Sequence, residues 1–154
     1  MRIEPLTAEG FAPFGEVLAV PDAPGRAVFE RALLSTRPEA RPSLSLSLKE
    51  PAGGPLAVQV MERHAFSSQS FVPLGPARFL ALVAPHAADG TPDMARARAF
   101  LAGPGQGITY GADVWHHPLV VFDAPARFAV FMWRDGTAGD EEFVDVAPFT
   151  LECP

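Results

Sequence analysis

Proline and glycine interrupt this chain so often that no long helix can form in it. Seventeen prolines and thirteen glycines are spread along 154 residues, so the chain is cut into short pieces. Those pieces are rich in Val, Leu, Phe and Ala, which separates this pattern from a disordered one. Ser43–Leu48 reads SLSLSL, the period-two mark of a half-buried strand. LAVQVMERH (56–64), SQSFVPL (68–74), ARFLALVAP (77–85), HHPLVVF (116–122), ARFAVFMWR (126–134) and FVDVAPFTLE (143–152) read as further strands, as does EVLAV after Gly15. Thr7 is placed to cap a short helix that Pro13 ends, and the segment 92–100 has room for a helical turn or two. About eight or nine strands with one or two short helices predict an all-β barrel or sandwich rather than a βαβ architecture.

The length fits one domain spanning 1–154. No apolar stretch approaches the roughly 20 residues that cross a bilayer, and the opening MRIEPLTAEGF has no apolar core behind a basic tip. The net charge is −6, Lys49 is the only lysine and the arginines are scattered, which argues against nucleic acid as a partner. The one cysteine, Cys153, cannot form an internal disulfide, and its position near the end argues against a buried nucleophile. A cytoplasmic protein acting on a small molecule is the expectation.

Two segments concentrate the chemistry: MERHAFSSQ (61–69) and YGADVWHHP (110–118) hold three of the four histidines, His86 being the other. Strict alternation along a strand puts Val58, Val60, Glu62 and His64 on one face and Gln59, Met61 and Arg63 on the other. Val114 and His116 share a face, opposed to Trp115 and His117. A carboxylate, an amide and one or two imidazoles meeting from two strands would make a mononuclear metal site or an acid/base cluster. Each residue alone has a plainer use: a solvated glutamate, a loop histidine, a packing tryptophan.

The spacing resembles the two cupin motifs, with Glu62, His64, Gln69 and Gly75 at the places of the first and His116 at that of the second. Glu62 stands where a histidine is usual, and Gln69 where a glutamate is usual. With that departure, VMERHAFSSQSFVPLG, GPGQGITY and VWHHPL resemble the ureidoglycolate lyase family, as does the opening IEPLTAEGFAPFGEV. The segment Ala27–Ser43 departs from it, lacking the Asn-Gly pair common in the family. The resemblance implies a cupin-like jelly-roll β-barrel, a homodimer, a divalent ion associated with nickel, and cleavage of (S)-ureidoglycolate to glyoxylate and urea. It implies Glu62, His64, Gln69 and His116 as metal ligands and Glu62, His64, His116, His117 and Tyr110 as the catalytic set. Lys49, Arg63 and Gln69 are the implied substrate-binding residues. Another small-acid cupin enzyme, an isomerase or a lyase, also fits the motifs, as does a cupin that binds a small acid without catalysis.

Overall fold

The computed structural model describes residues 1–152, so Cys153 lies outside the described residues. Twelve strands and one short helix follow in the order β1 (Ile3–Pro5), α1 (Ala8–Phe11), β2 (Gly15–Ala19), β3 (Arg41–Lys49), β4 (Leu56–Arg63), β5 (Gln69–Pro73), β6 (Phe79–Ala84), β7 (Arg98–Ala102), β8 (Gln106–Tyr110), β9 (Trp115–His116), β10 (Val120–Val121), β11 (Ala126–Arg134) and β12 (Glu142–Leu151). Thr7 caps α1 as expected, its hydroxyl accepting from Gly10 N–H at 3.1 Å. The segment before β7 holds a single tight turn at Met94–Arg96. No helix among the described residues is long and apolar enough to cross a membrane.

The strands form two sheets. The seven-stranded one runs β1-β7-β6-β9-β4-β12 with β10 also on β6, and the five-stranded one runs β2-β8-β5-β11-β3. This is the all-β, cupin-like architecture, built as two facing sheets rather than as one continuously closed barrel. Their facing sides share a core: Phe79, Ala81, Val83 and Phe100 from one sheet pack with Phe71, Ile108, Tyr110 and Phe128 from the other. Strand β6 is buried along its whole length, because Leu80, Leu82 and Ala84 face a second apolar layer with Val58, Met61 and Trp115. Val144, Val146 and Phe149 of β12 pack on that second layer, so the C-terminal apolar run completes this sheet.

One reading of a strand face changes, and one face that the sequence left open is decided. Val58 and Met61 both enter the outer layer although they are three residues apart. The ladder between β4 and β12 slips between Asp145 and Phe149, and this bulge breaks the alternation. Val58 therefore does not share the face of Glu62. In β3 the alternation holds, but it is the leucines that point out: Leu44, Leu46 and Leu48 are 69%, 74% and 54% exposed. The serines pair across the ladder with Met132, Val130 and Phe128, which face the interior. Thus β3 lines the inner space with hydroxyls, and Lys49 continues that row.

Candidate active site

The site forms where the two sheets come together at the end of β4. Glu62 pairs with His116 in the β4–β9 ladder, and His116 pairs with Val83, whose side chain lies in the inner core. Glu62 and His116 therefore face inward, and His64, one step beyond the strand, turns in beside them. Asp113 N–H donates to the His64 carbonyl at 2.9 Å, which ties the two motif segments together. Asp113 itself takes a left-handed conformation (φ 65°) that aspartate tolerates, and the turn aims Trp115 outward and His116 inward.

Glu62, His64 and His116 each offer a ligand atom, and these atoms all lie within 4.8 Å of one another. The imidazole rings sit 5.4 Å apart, and Tyr110 stacks on His116 at 4.1 Å. On the other sheet, Tyr110 pairs with Gln69, so the amide arrives from the same side as the phenol. His64 Nδ1–H donates to the Asp140 carbonyl at 2.8 Å, and His116 Nδ1–H donates to the Val114 carbonyl at 2.9 Å. A carbonyl only accepts, so both rings carry the proton on Nδ1 and turn the Nε2 lone pair to the centre.

Burial leaves this centre with unmet hydrogen-bonding capacity. His64 Nε2, His116 Nε2, Gln69 Oε1 and Tyr110 OH are buried and without a hydrogen-bond partner among the described residues. Glu62 Oε1 lies 3.3 Å from His116 Nε2 with no hydrogen bond between them. Buried polar groups are nearly always partnered, so four orphans at one spot mark a place for a polar ligand. Two imidazole nitrogens, a carboxylate and an amide oxygen are also the donor types that hold a divalent ion, so these residues fit one.

Burial by itself would raise the Glu62 carboxyl, but the adjacent His116, with His64 and Lys49 nearby, outweighs it and holds the pKa below the ordinary range. Burial lowers His64 despite the Asp140 carbonyl, and keeps that ring neutral. Burial likewise lowers His117, whose Nδ1–H donates to the Pro118 carbonyl at 2.8 Å. Burial, helped by the Glu62 charge, holds the proton firmly on Tyr110.

The other residues singled out in the sequence divide. Lys49 has no ion pair among the described residues, and its charge reaches Glu62 from the inner face of β3. Arg63 points the other way and bonds Asp113 and Glu142 at 2.9 and 2.8 Å over the Trp115 ring, so it does not join the cluster. His86 bonds the carbonyls of Gly90 and Asp113 and also stays outside it. Sequence reasoning passed over Arg37 and Asp140. The Asp140 carboxylate takes hydrogen bonds from Arg37 Nη2, Gly136 N–H and Asp135 N–H, and so fixes the loop whose carbonyl orients His64. No local motif signals this, since Arg37 and Asp140 lie 103 residues apart.

Two facing sheets around a His-His-carboxylate cluster define a cupin-like protein. The chain belongs to the ureidoglycolate lyase family: the model of that family, described as ureidoglycolate lyase, matches residues 1–152. Among similar proteins, the ureidoglycolate lyase of Rhodobacter capsulatus is 40% identical over 160 residues, covering 99% of this chain and 98% of that one. The ureidoglycolate lyase of Brucella melitensis biotype 2 is 39% identical, covering 84% of this chain and 80% of its own. The putative ureidoglycolate lyase of Agrobacterium fabrum is 38% identical, covering 88% and 84%.

Proposed function

We propose that this chain is a ureidoglycolate lyase of allantoin degradation, acting as a cytoplasmic homodimer in which residues 1–154 form one cupin-like domain. The observation that carries the reading is the group of four orphaned buried donors and acceptors beside an ionised Glu62, in a chain of this family. The reaction splits a carbinolamide. The hydroxyl O–H bond breaks, the C–O bond becomes the glyoxylate carbonyl, and the C–N electron pair leaves with urea, whose nitrogen takes a proton.

His64, His116, Glu62 and the amide oxygen of Gln69 would hold a divalent ion, with nickel the proposed one. When bound, that ion supplies Lewis-acid polarisation of the substrate oxygens. The chain's own groups account for the proton. A carboxylate has two oxygens, so Glu62 can serve the ion with one and accept the hydroxyl proton with the other. Its lowered pKa keeps it ionised at neutral pH. Glu62 then passes that proton to the departing urea nitrogen, while Tyr110 keeps its own and donates a hydrogen bond toward the urea. Lys49, a cation on the inner face of β3 without an ion pair among the described residues, pairs with the substrate carboxylate. His117, next in the chain to His116, stays a buried neutral ring bonded to the Pro118 carbonyl. Arg63 stays in its ion pairs and steadies the turn that carries His116.

The test is glyoxylate release from ureidoglycolate by purified protein, with and without added Ni²⁺ or Mn²⁺. Release well above spontaneous decay is expected, and Glu62→Gln and His116→Ala should each lower it roughly a hundredfold or more. No acceleration under any metal condition would refute the lyase reading. Two folded, fully active variants would refute the site.

A further inference from the structure

His86 stays outside the metal-type cluster, yet both nitrogens of its ring are engaged. It lies in the loop after β6, which Ala87 N–H closes onto the Thr91 carbonyl at 2.8 Å and Asp93 N–H onto the Pro85 carbonyl at 2.8 Å. Gly90 turns that loop at φ 84°, and its carbonyl receives two donors, His86 Nδ1 at 3.1 Å and Trp115 Nε1 at 3.0 Å. His86 Nε2 reaches the Asp113 carbonyl at 2.7 Å, with the Asp113 carboxylate 3.4 Å from the same nitrogen. A carbonyl only accepts, so the ring makes both bonds only when both nitrogens carry protons. The neutral ring has one N–H and must release one carbonyl. Asp113 is the residue whose left-handed turn delivers His116. Its N–H holds the His64 carbonyl at 2.9 Å, and Arg63 holds its carboxylate at 2.9 Å, which leaves its carbonyl to His86. One peptide further on, the Val114 carbonyl accepts from His116 Nδ1–H.

We propose that His86 is a positioning residue for His116: it ties the Asp113 peptide to the Gly90 loop and so holds the Val114 carbonyl against the His116 ring. This rests on the reading of His116 as a site residue. His86 acts through the backbone of the turn, two bonded groups away from the ring it orients. The hold depends on a proton, because only the doubly protonated ring joins both carbonyls. The ring is 36% exposed, so that proton exchanges with solvent. The charged groups around it divide. The Asp113 carboxylate, its one ion pair among the described residues, favours the doubly protonated ring. Arg96, whose Nη2 donates to the His86 carbonyl at 3.2 Å, and Arg63, beyond Asp113, oppose it. Each of these is matched by an acid of its own, Arg96 by Asp93 at 2.7 Å and Arg63 by Glu142 at 2.8 Å. Asp89, in the same loop, spends its carboxylate on Thr91.

The experiment is NMR of the imidazole nitrogens in the full metal-free chain, with Ni²⁺ titration calorimetry beside it, from about pH 5 to 8, where histidine side chains exchange their proton. At the acid end both ring nitrogens of His86 should carry protons, and the buried His116 Nδ1–H should exchange slowly with water. His86→Ala should speed that exchange on the order of tenfold, while amides of β6 and β11 keep their rates, and should weaken Ni²⁺ binding roughly tenfold. His86→Gln, which keeps one uncharged donor group, should recover part of both. The ratio of wild-type to His86→Gln affinity should be largest near the acid end and fall toward one as pH rises, since a contact that needs the ring proton is lost in that direction. Protonation of the ligands themselves is common to both proteins and cancels from the ratio. A singly protonated His86 ring at the acid end, unchanged His116 exchange in folded His86→Ala, or a ratio that stays flat with pH would overturn the assignment. Wild type that binds no Ni²⁺ would count against the metal reading alone, because the metal-free spectra and exchange rates still judge His86.

Discussion

Replacing Asp140 with asparagine tests the link between a distant ion pair and the geometry of His64. The carboxylate is 3% exposed and accepts from Arg37, from Gly136 N–H at 2.9 Å, from Asp135 N–H at 3.1 Å and, more weakly, from Arg134 Nε at 3.4 Å. Asparagine keeps the shape but removes the charge, and its amide group turns a donor toward donors. A buried pair broken on one side costs about 3–5 kcal/mol, yet Arg37 keeps Asp135 at 2.6 Å as a second partner. A loss of about 2–3 kcal/mol follows, which for a chain of this size lowers Tm by roughly 5–10 °C. The backbone carbonyl of residue 140 survives the change but is no longer anchored, so His64 loses its fixed ring orientation. Loss of such an orienting partner lowers metal affinity or activity roughly 10–100-fold.

The pH dependence has a definite sign. Burial would raise the Asp140 carboxyl, but the Asp135 amide, Arg37, the Gly136 amide and Arg134 outweigh it and lower the pKa from 3.8 to about 2. A depressed carboxyl stabilises the fold above its unfolded pKa and loses that contribution as pH falls through the folded value. The Tm difference between wild type and Asp140→Asn should therefore be steady at neutral pH and shrink between about pH 4 and 2. Thermal melts across that range, with Ni²⁺ titration calorimetry and glyoxylate release at neutral pH, check both parts. A variant that melts within a degree of wild type and binds metal as tightly would refute the reasoning.

Other outcomes follow from the same geometry. Tyr110→Phe removes a buried hydroxyl that has no protein partner, so thermal stability should hold or rise by up to about 1 kcal/mol while glyoxylate release falls tenfold or more. A matching loss of stability would show that the hydroxyl is bonded within the fold. Lys49→Ala should raise KM at least tenfold with little change in Tm, since its ammonium has no ion pair to lose among the described residues; an unchanged KM would remove it as the carboxylate anchor. Gly15→Ala should prevent recovery of folded protein, because the new Cβ would stand 1.8 Å from the Thr109 carbonyl oxygen. Normal yield and an unchanged melt would show that β2 and β8 can move apart at that point.

Most strand positions were legible because proline and glycine act locally. β11 falls on the run Ala126–Arg134 read from the sequence, and β6 lies within 77–85 as the fully buried central strand. The stretch HHPLVVF was read as one strand but folds as two, β9 and β10, with Pro118 between them. β1, a three-residue parallel partner of β7, carries too little pattern to be seen alone. At the site, the motif words singled out Glu62, His64 and His116, which converge, with Tyr110 stacked on His116 and Gln69 opposite Tyr110 in the ladder, but they also raised Arg63, whose partners Asp113 and Glu142 hold it outside.

Local sequence supplied the inventory: which residues can bind a cation, where strands start and stop, and that β3 has one apolar and one polar face. Which face turns inward was a matter for the tertiary structure. A period of two is symmetric, and only packing against β11 sends the serines inside and leaves the leucines out. The same holds for the bulge that separates Val58 from Glu62, and for the Asp140 carbonyl that reaches His64 across 76 residues. Local chemistry sets strand propensity through neighbouring residues, whereas register, facing and orienting hydrogen bonds depend on groups that meet only when distant strands pair.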